Sequence, residues 1–159
     1  MSDLKITDIM TKEVVSVGQD MPLFAAAKII TDHNFDGVPV VDKENKLIGI
    51  LTEYNLISQS SSIHLPTLQK ILKDINVLGE DKSHFKKEFQ DIIALKVKDA
   101  MNREPPTLRD DASYKEVIAA FREHHNVNPI PVIDSVGKVV GVVSRYDVLR
   151  GVDRKTKLS

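Results

Sequence analysis

One stretch of the chain carries residue types whose spacing suits ligand chemistry: Gly141-Val142-Val143-Ser144-Arg145-Tyr146-Asp147. Its β-branched start reads as a strand end, and Ser144 as the first residue of a helix. The free N–H groups and positive dipole end of such a helix form a natural anion site. The Ser144 hydroxyl can cap the helix or bond a phosphate. Asp147 follows three residues later on the same helix edge. A carboxylate there offers two acceptor oxygens, which suits two adjacent ribose hydroxyls. On this string alone the pair also reads as a plain capping arrangement, and both readings stand.

Other chemistry-bearing residues are less organised. His33, His64, His84, His124 and His125 are scattered, so no metal site is expected. Asp110-Asp111 reads as a helix start rather than a catalytic carboxylate pair. No GxSxG, HExxH or Walker-type string occurs, and no nucleophile–base pairing is visible, so an enzyme is not expected. The chain has no cysteine, which excludes disulfides, thiolate metal sites and cysteine nucleophiles. Its 159 residues carry a net charge of −1, so no global field holds a nucleic-acid backbone or an anionic membrane. No apolar run is long enough for a membrane span, and the N-terminus lacks a secretory pattern; the cytoplasm is the expected location. Arg150, Arg154, Lys155 and Lys157 read as a solvated basic tail, with a phosphate or nucleic-acid contact as the lesser reading.

The Ser144–Asp147 string has a twin. VPVVDKENKLIGILTEYNLI (38–57) aligns without gaps to IPVIDSVGKVVGVVSRYDVL (130–149), with six identities in 20 positions, Gly49/Gly141 and Tyr54/Tyr146 among them. Upstream, DIMTKEVVSV (8–17) matches DAMNREPPTL (99–108). The chain is thus a tandem pair of units of roughly 50 residues, separated by an insert.

Each unit changes its hydrophobic period in a fixed order. Val14–Val17 is a strand candidate, and Asp20-Met21-Pro22 a helix start. Leu23, Ala26, Ala27 and Ile30 recur at helical spacing. Val38–Val41 and Leu47–Leu51 flank the polar turn Lys43-Glu44-Asn45 as a hairpin. Thr52 then sits where a helix cap belongs. The second unit repeats strand, helix, strand, strand, helix, with Asp110/Asp111 and Ser113 as caps. Pro105-Pro106 removes two N–H donors and is expected to shorten its first strand or place it at an edge. A three-stranded sheet this small buries too little to stand alone, so the two units should close on one another. The insert 58–96 carries two apolar stripes, Leu65 to Ile75 and Phe85 to Ile93, expected to form a helical hairpin on the module or a surface for a partner chain.

These strings together resemble a tandem pair of cystathionine-β-synthase (CBS) domains, a Bateman module without an attached catalytic or transport domain. The resemblance spans Ile6 to Ile57 and Val97 to Arg150. It implies an α/β fold of two pseudo-twofold-related βαββα units packed sheet to sheet: a first CBS unit over 1–57, the insert 58–96, and a second unit with the basic tail over 97–159. It also implies a cleft between the units for an adenine nucleotide (AMP, ADP, ATP or S-adenosylmethionine) as regulatory ligand, with no other cofactor. Occupancy would be relayed to a regulated partner, and a homodimer is expected.

Carried onto this sequence, the resemblance assigns Asp147 to the ribose diol and Ser144 to ribose or phosphate. Asn128, Ile130 and Pro131 line an adenine pocket with Thr107, and Arg145 or another nearby base meets phosphate. The matching first-unit set is Ser16, Asp36, Val38, Pro39, Thr52 and Asn55. Asn55 departs from the family's Asp. Exchanging a charged for a neutral partner costs on the order of 1 kcal/mol, roughly five- to tenfold in affinity, so the second-unit site ranks higher. The rival reading is a ligand-free interaction module built on the tandem fold and the inserted helices.

Overall fold

The computed structural model describes residues 4–58 and 94–157, the side chains of 154–157 excepted. The two expected insert stripes lie outside the described residues.

The first unit runs α1 (Ile6–Ile9), β1 (Val17–Gly18), α2 (Leu23–Asp32), β2 (Gly37–Val41), β3 (Leu47–Thr52) and α3 (Glu53–Ser58). The second runs α4 (Val97–Ala100), β4 (Leu108–Arg109), α5 (Tyr114–Glu123), β5 (Ile130–Ile133), β6 (Val139–Val143) and α6 (Arg145–Lys157). Each unit has a three-stranded sheet, β1-β2-β3 or β4-β5-β6, with a parallel edge pair and an antiparallel hairpin. The βαββα order and the two-unit α/β architecture match the reading of the repeat.

The first strands are shorter than the apolar run suggests. β1 pairs only Val17 with Val40 and Gly18 with Val41, and β4 only Leu108 with Val132 and Arg109 with Ile133. Pro105-Pro106 does not explain this, because the proline-free β1 has the same two residues. Val14 and Val15 belong instead to a loop before the sheet. Asp20 does not cap α2, whose N-cap is Pro22 with no side-chain bond. The Lys98 ammonium lies 2.9 Å from the Asp20 carboxylate and holds it below the usual carboxylate range. Ser113 does cap α5: its Oγ accepts from Glu116 N–H at 3.4 Å, and its N–H donates back to Glu116 Oε2 at 2.7 Å.

The units exchange their leading segments. Ile6 and Ile9 of α1 are buried with Leu108, Val117, Ile130 and Val143 in the core of the second unit. Reciprocally, Val97 and Ala100 of α4 are buried with Val17, Leu23, Val40 and Leu51 in the core of the first. The backbone follows: Ile6 N–H donates to Ala112 O, and Val97 N–H to Met21 O, each at 3.0 Å. Thr11 bridges Val142 of β6, and Asn102 bridges Ile50 of β3. The Asp of each leading string caps its short helix, with Lys5 N–H donating to Asp8 Oδ2 and Lys96 N–H to Asp99 Oδ2 at 2.8 Å.

This exchange accounts for the repeated glycines. A Cβ on Gly49 would lie 2.7 Å from Asn102 O, and one on Gly141 would lie 2.5 Å from Met10 Sδ. At both positions a bare backbone admits the segment that crosses from the other half.

Repeat-equivalent residues also meet directly. Lys46 bridges Lys138 between the hairpin turns, where Leu47 N–H donates to Gly137 O at 3.0 Å. Asn128 Nδ2 donates to Asp36 Oδ2 at 2.5 Å. Such contacts between equivalent positions are those an approximate twofold relation brings together.

Candidate functional site

The start of α6 is built as its sequence suggests. Ser144 N–H and Oγ both donate to Asp147 Oδ2 at 2.8 Å, and Asp147 N–H donates to Ser144 Oγ at 3.2 Å. The capping arrangement is therefore real. It uses one carboxylate oxygen, and Oδ1 takes no hydrogen bond among the described residues. Asp147 is 9% exposed, so this oxygen belongs to a nearly enclosed carboxylate.

The twin at the start of α3 has the same geometry with an amide. Thr52 N–H and Oγ1 donate to Asn55 Oδ1 at 3.0 and 2.8 Å, and Asn55 N–H donates back to Thr52 Oγ1 at 3.2 Å. An amide oxygen serves the cap as well as a carboxylate, so capping alone does not call for the charge at 147.

Asp147 faces a cleft of about 430 Å³, within the range of small-molecule sites. Three pieces of chain converge on it. The loop before β1 brings Thr11, Glu13, Val14 and Val15. The turn into β2 brings Asn34, Phe35, Asp36 and Gly37, followed by Pro39. The second unit contributes Pro129, Val142, Ser144, Tyr146, Asp147 and Arg150. The β2 turn is shaped locally: Asn34 adopts φ 53°, and Phe35 N–H donates to Ile30 O at 2.9 Å, closing the end of α2.

The cleft thus draws Ser144 and Asp147 from one expected set, and Asp36 and Pro39 from the other. The remaining expected residues lie elsewhere. Ile130 and Val38 are fully buried in the two cores. Pro131 is buried in β5, while Thr107 is exposed and Ser16 half-buried just before their short strands. Thr52 and Asn55 make the twin cap. Asn128 is not among the lining residues; it is bonded to Asp36, and its Oδ1 accepts from Arg145 N–H at 3.1 Å.

Arg145 does not line the cleft. Its guanidinium donates to the His125 carbonyl and lies 5.6 Å from the centre of the Phe121 ring. Arg150 lines it instead, 5.8 Å from the Tyr146 ring centre. The expected anion cradle at the helix start is also largely used up. The N–H groups of Ser144, Arg145 and Asp147 all donate to side chains of the protein itself.

Among the described residues, no group of three or more His, Asp or Glu side chains could hold a metal ion. No helix among them is long and apolar enough to cross a membrane.

Comparison with known proteins agrees with this architecture. The CBS domain family matches residues 6–62 and 97–154. An uncharacterized protein of Methanocaldococcus jannaschii, MJ1426, is 25% identical over 150 residues, covering 91% of this chain and 88% of that one. The L-aspartate semialdehyde sulfurtransferase of the same organism is also 25% identical, but the match spans only 22% of its length. Among solved structures, CBSX2 in complex with AMP superposes with a TM-score of 0.70 at 21% identity, covering 96% of this chain and 98% of that one. The CBS domain pair of MJ0100, in complex with 5′-methylthioadenosine and S-adenosylmethionine, gives 0.67 at 23% identity, covering 97% and 99%.

Proposed function

Because the chain belongs to the CBS domain family, with two copies in tandem, we propose that it is a cytoplasmic, non-enzymatic regulatory module that binds an adenine nucleotide in the cleft and relays occupancy to a partner. The observation that carries this reading is Asp147, a nearly buried carboxylate with one oxygen that no described residue bonds, facing a cleft whose walls come from both units. That oxygen takes the ribose diol, with Ser144 beside it. Related CBS-pair structures, one in complex with AMP and another with S-adenosylmethionine, support the class of ligand. Thr52 with Asn55 makes the weaker, second site.

The relay follows from where the walls originate. A ligand shifts an equilibrium only by its differential affinity for two arrangements. Asp36 lines the cleft and also accepts the Asn128 hydrogen bond from the other unit. A ligand touching Asp36 therefore acts on the join between the units.

Calorimetry with AMP, ADP, ATP and S-adenosylmethionine tests the reading. Asp147→Asn is the informative variant, because Asn55 shows that an amide keeps the cap intact. Binding should weaken by about five- to tenfold with little change in Tm. No heat with any of the four at millimolar concentration, or affinity untouched by the substitution, defeats the proposal.

A homodimer is part of the same proposal. Tyr54 and Ile57 on α3, and Tyr146 and Leu149 on α6, expose large apolar side chains at repeat-equivalent positions. Those stripes also favour the second reading, a ligand-free interaction module. Light scattering on the purified chain gives a dimer mass in the first case. A protein that carries no nucleotide and co-purifies with one other polypeptide supports the second.

A further inference from the structure

The charges around the cleft discriminate among adenosine compounds, an inference that rests on the reading just given. Three carboxylates line the space, Glu13, Asp36 and Asp147, against one described guanidinium, that of Arg150. Asp147 is needed for the diol and Asp36 already holds Asn128. Glu13 and Arg150 remain to meet whatever extends from the 5′ carbon.

A nucleotide cleft usually offsets such carboxylates with a helix N-terminus. Here most of that end is already used, with the Tyr146 N–H the one first-turn donor left among the described residues. Ser144 N–H points to Asp147 Oδ2 at 2.8 Å, Arg145 N–H to Asn128 Oδ1 at 3.1 Å, and Asp147 N–H to Ser144 Oγ at 3.2 Å. The carboxylate in the first turn also offsets the positive end of the helix dipole. The guanidinium of Arg145, next to Ser144 in sequence, is turned away onto the His125 carbonyl and the Phe121 ring.

A triphosphate would bring about four negative charges into this setting. Each like-charge pair at about 7 Å costs roughly two- to threefold in affinity at the dielectric of water, before salt screening. Several such pairs exceed what one arginine returns. We propose that the cleft selects adenosyl compounds whose 5′ substituent is uncharged or cationic, of the thioether or sulfonium class, over nucleoside polyphosphates. An amino-acid tail on such a sulfonium suits the lining further, since Glu13 is a counterpart for its ammonium and Arg150 for its carboxylate. Specificity then comes from repulsion of the wrong ligand as much as from attraction of the right one.

Titration calorimetry on the full chain at physiological salt, with S-adenosylmethionine, adenosine, AMP and ATP as the four probes, tests this. S-adenosylmethionine and adenosine should bind about tenfold or more tightly than ATP, with AMP between. Glu13→Gln should narrow the gap by strengthening ATP binding severalfold while leaving adenosine unchanged. ATP binding as tightly as adenosine or S-adenosylmethionine overturns the charge selection and leaves the adenine-nucleotide reading standing, as does a Glu13→Gln variant with the same order and spacing of affinities. Silence from all four probes removes the reading itself, and the selection with it.

Discussion

The two repeated glycines meet their crossing segments in chemically different ways. At Gly49 the nearest atom to an added Cβ is the Asn102 carbonyl oxygen at 2.7 Å, which is backbone and fixed by its bridge to Ile50. At Gly141 the nearest is Met10 Sδ at 2.5 Å, the flexible end of a side chain, and the Thr11 oxygen is further off at 3.2 Å. Gly49→Ala should therefore destabilise more than Gly141→Ala, by about 1–3 kcal/mol against a smaller loss. Urea unfolding of the two variants checks the order. The sequence shows a glycine at both equivalent positions but not what approaches it. Ser144 and Asp147 were legible because their types and spacing carry the cap and the acceptor oxygens together. Arg150 was not, because in sequence it is the first residue of a basic tail and only the turn of α6 brings it to the cleft. Glu13 sat in a string that read as the approach to a strand, and carried no signal of its own.

At the scale of elements, α5 and the second hairpin are held by carboxylates that accept local hydrogen bonds. Bonds from the Ser113 hydroxyl and N–H keep the Glu116 carboxyl below its ordinary range. Backbone N–H groups of Lys138 and Val136 do the same for Asp134. A depressed folded-state pKa stabilises above the unfolded value, about 4 for these groups, and that contribution is lost as pH falls through the folded value. Ser113→Ala should cost about 1 kcal/mol at neutral pH. The difference in Tm between Glu116→Gln and the parent chain should shrink as pH drops below about 4. A difference constant from pH 7 to 3 contradicts the assignment. The order of elements was readable because the change of hydrophobic period is local and occurs twice. The lengths of β1 and β4 were not, since β-branched residues such as Val14 and Val15 suit a strand but pairing decides where one begins.

For the whole molecule, the exchange of leading segments makes the two units one cooperative body. Ile6 precedes the first sheet, yet its side chain is fully buried in the second core. Ile6→Ala should cost about 2–5 kcal/mol, and unfolding followed by separate probes in the two units should stay a single transition. Two resolved transitions, with only the first unit weakened, would contradict the packing. Nothing in the local pattern announces this crossing. The apolar residues of DIMT and DAMN would fit either sheet equally well, and the choice is made by tertiary contacts across the repeat. The same crossing has a bearing on biosynthesis. The helix at Ile6–Ile9 leaves the ribosome roughly 100 to 135 residues ahead of the strands that receive it, while the first sheet waits for Val97 and Ala100 to fill its own gap. The first half can close once Ala100 has emerged, whereas the helix at Ile6–Ile9 waits unburied until the second sheet has followed.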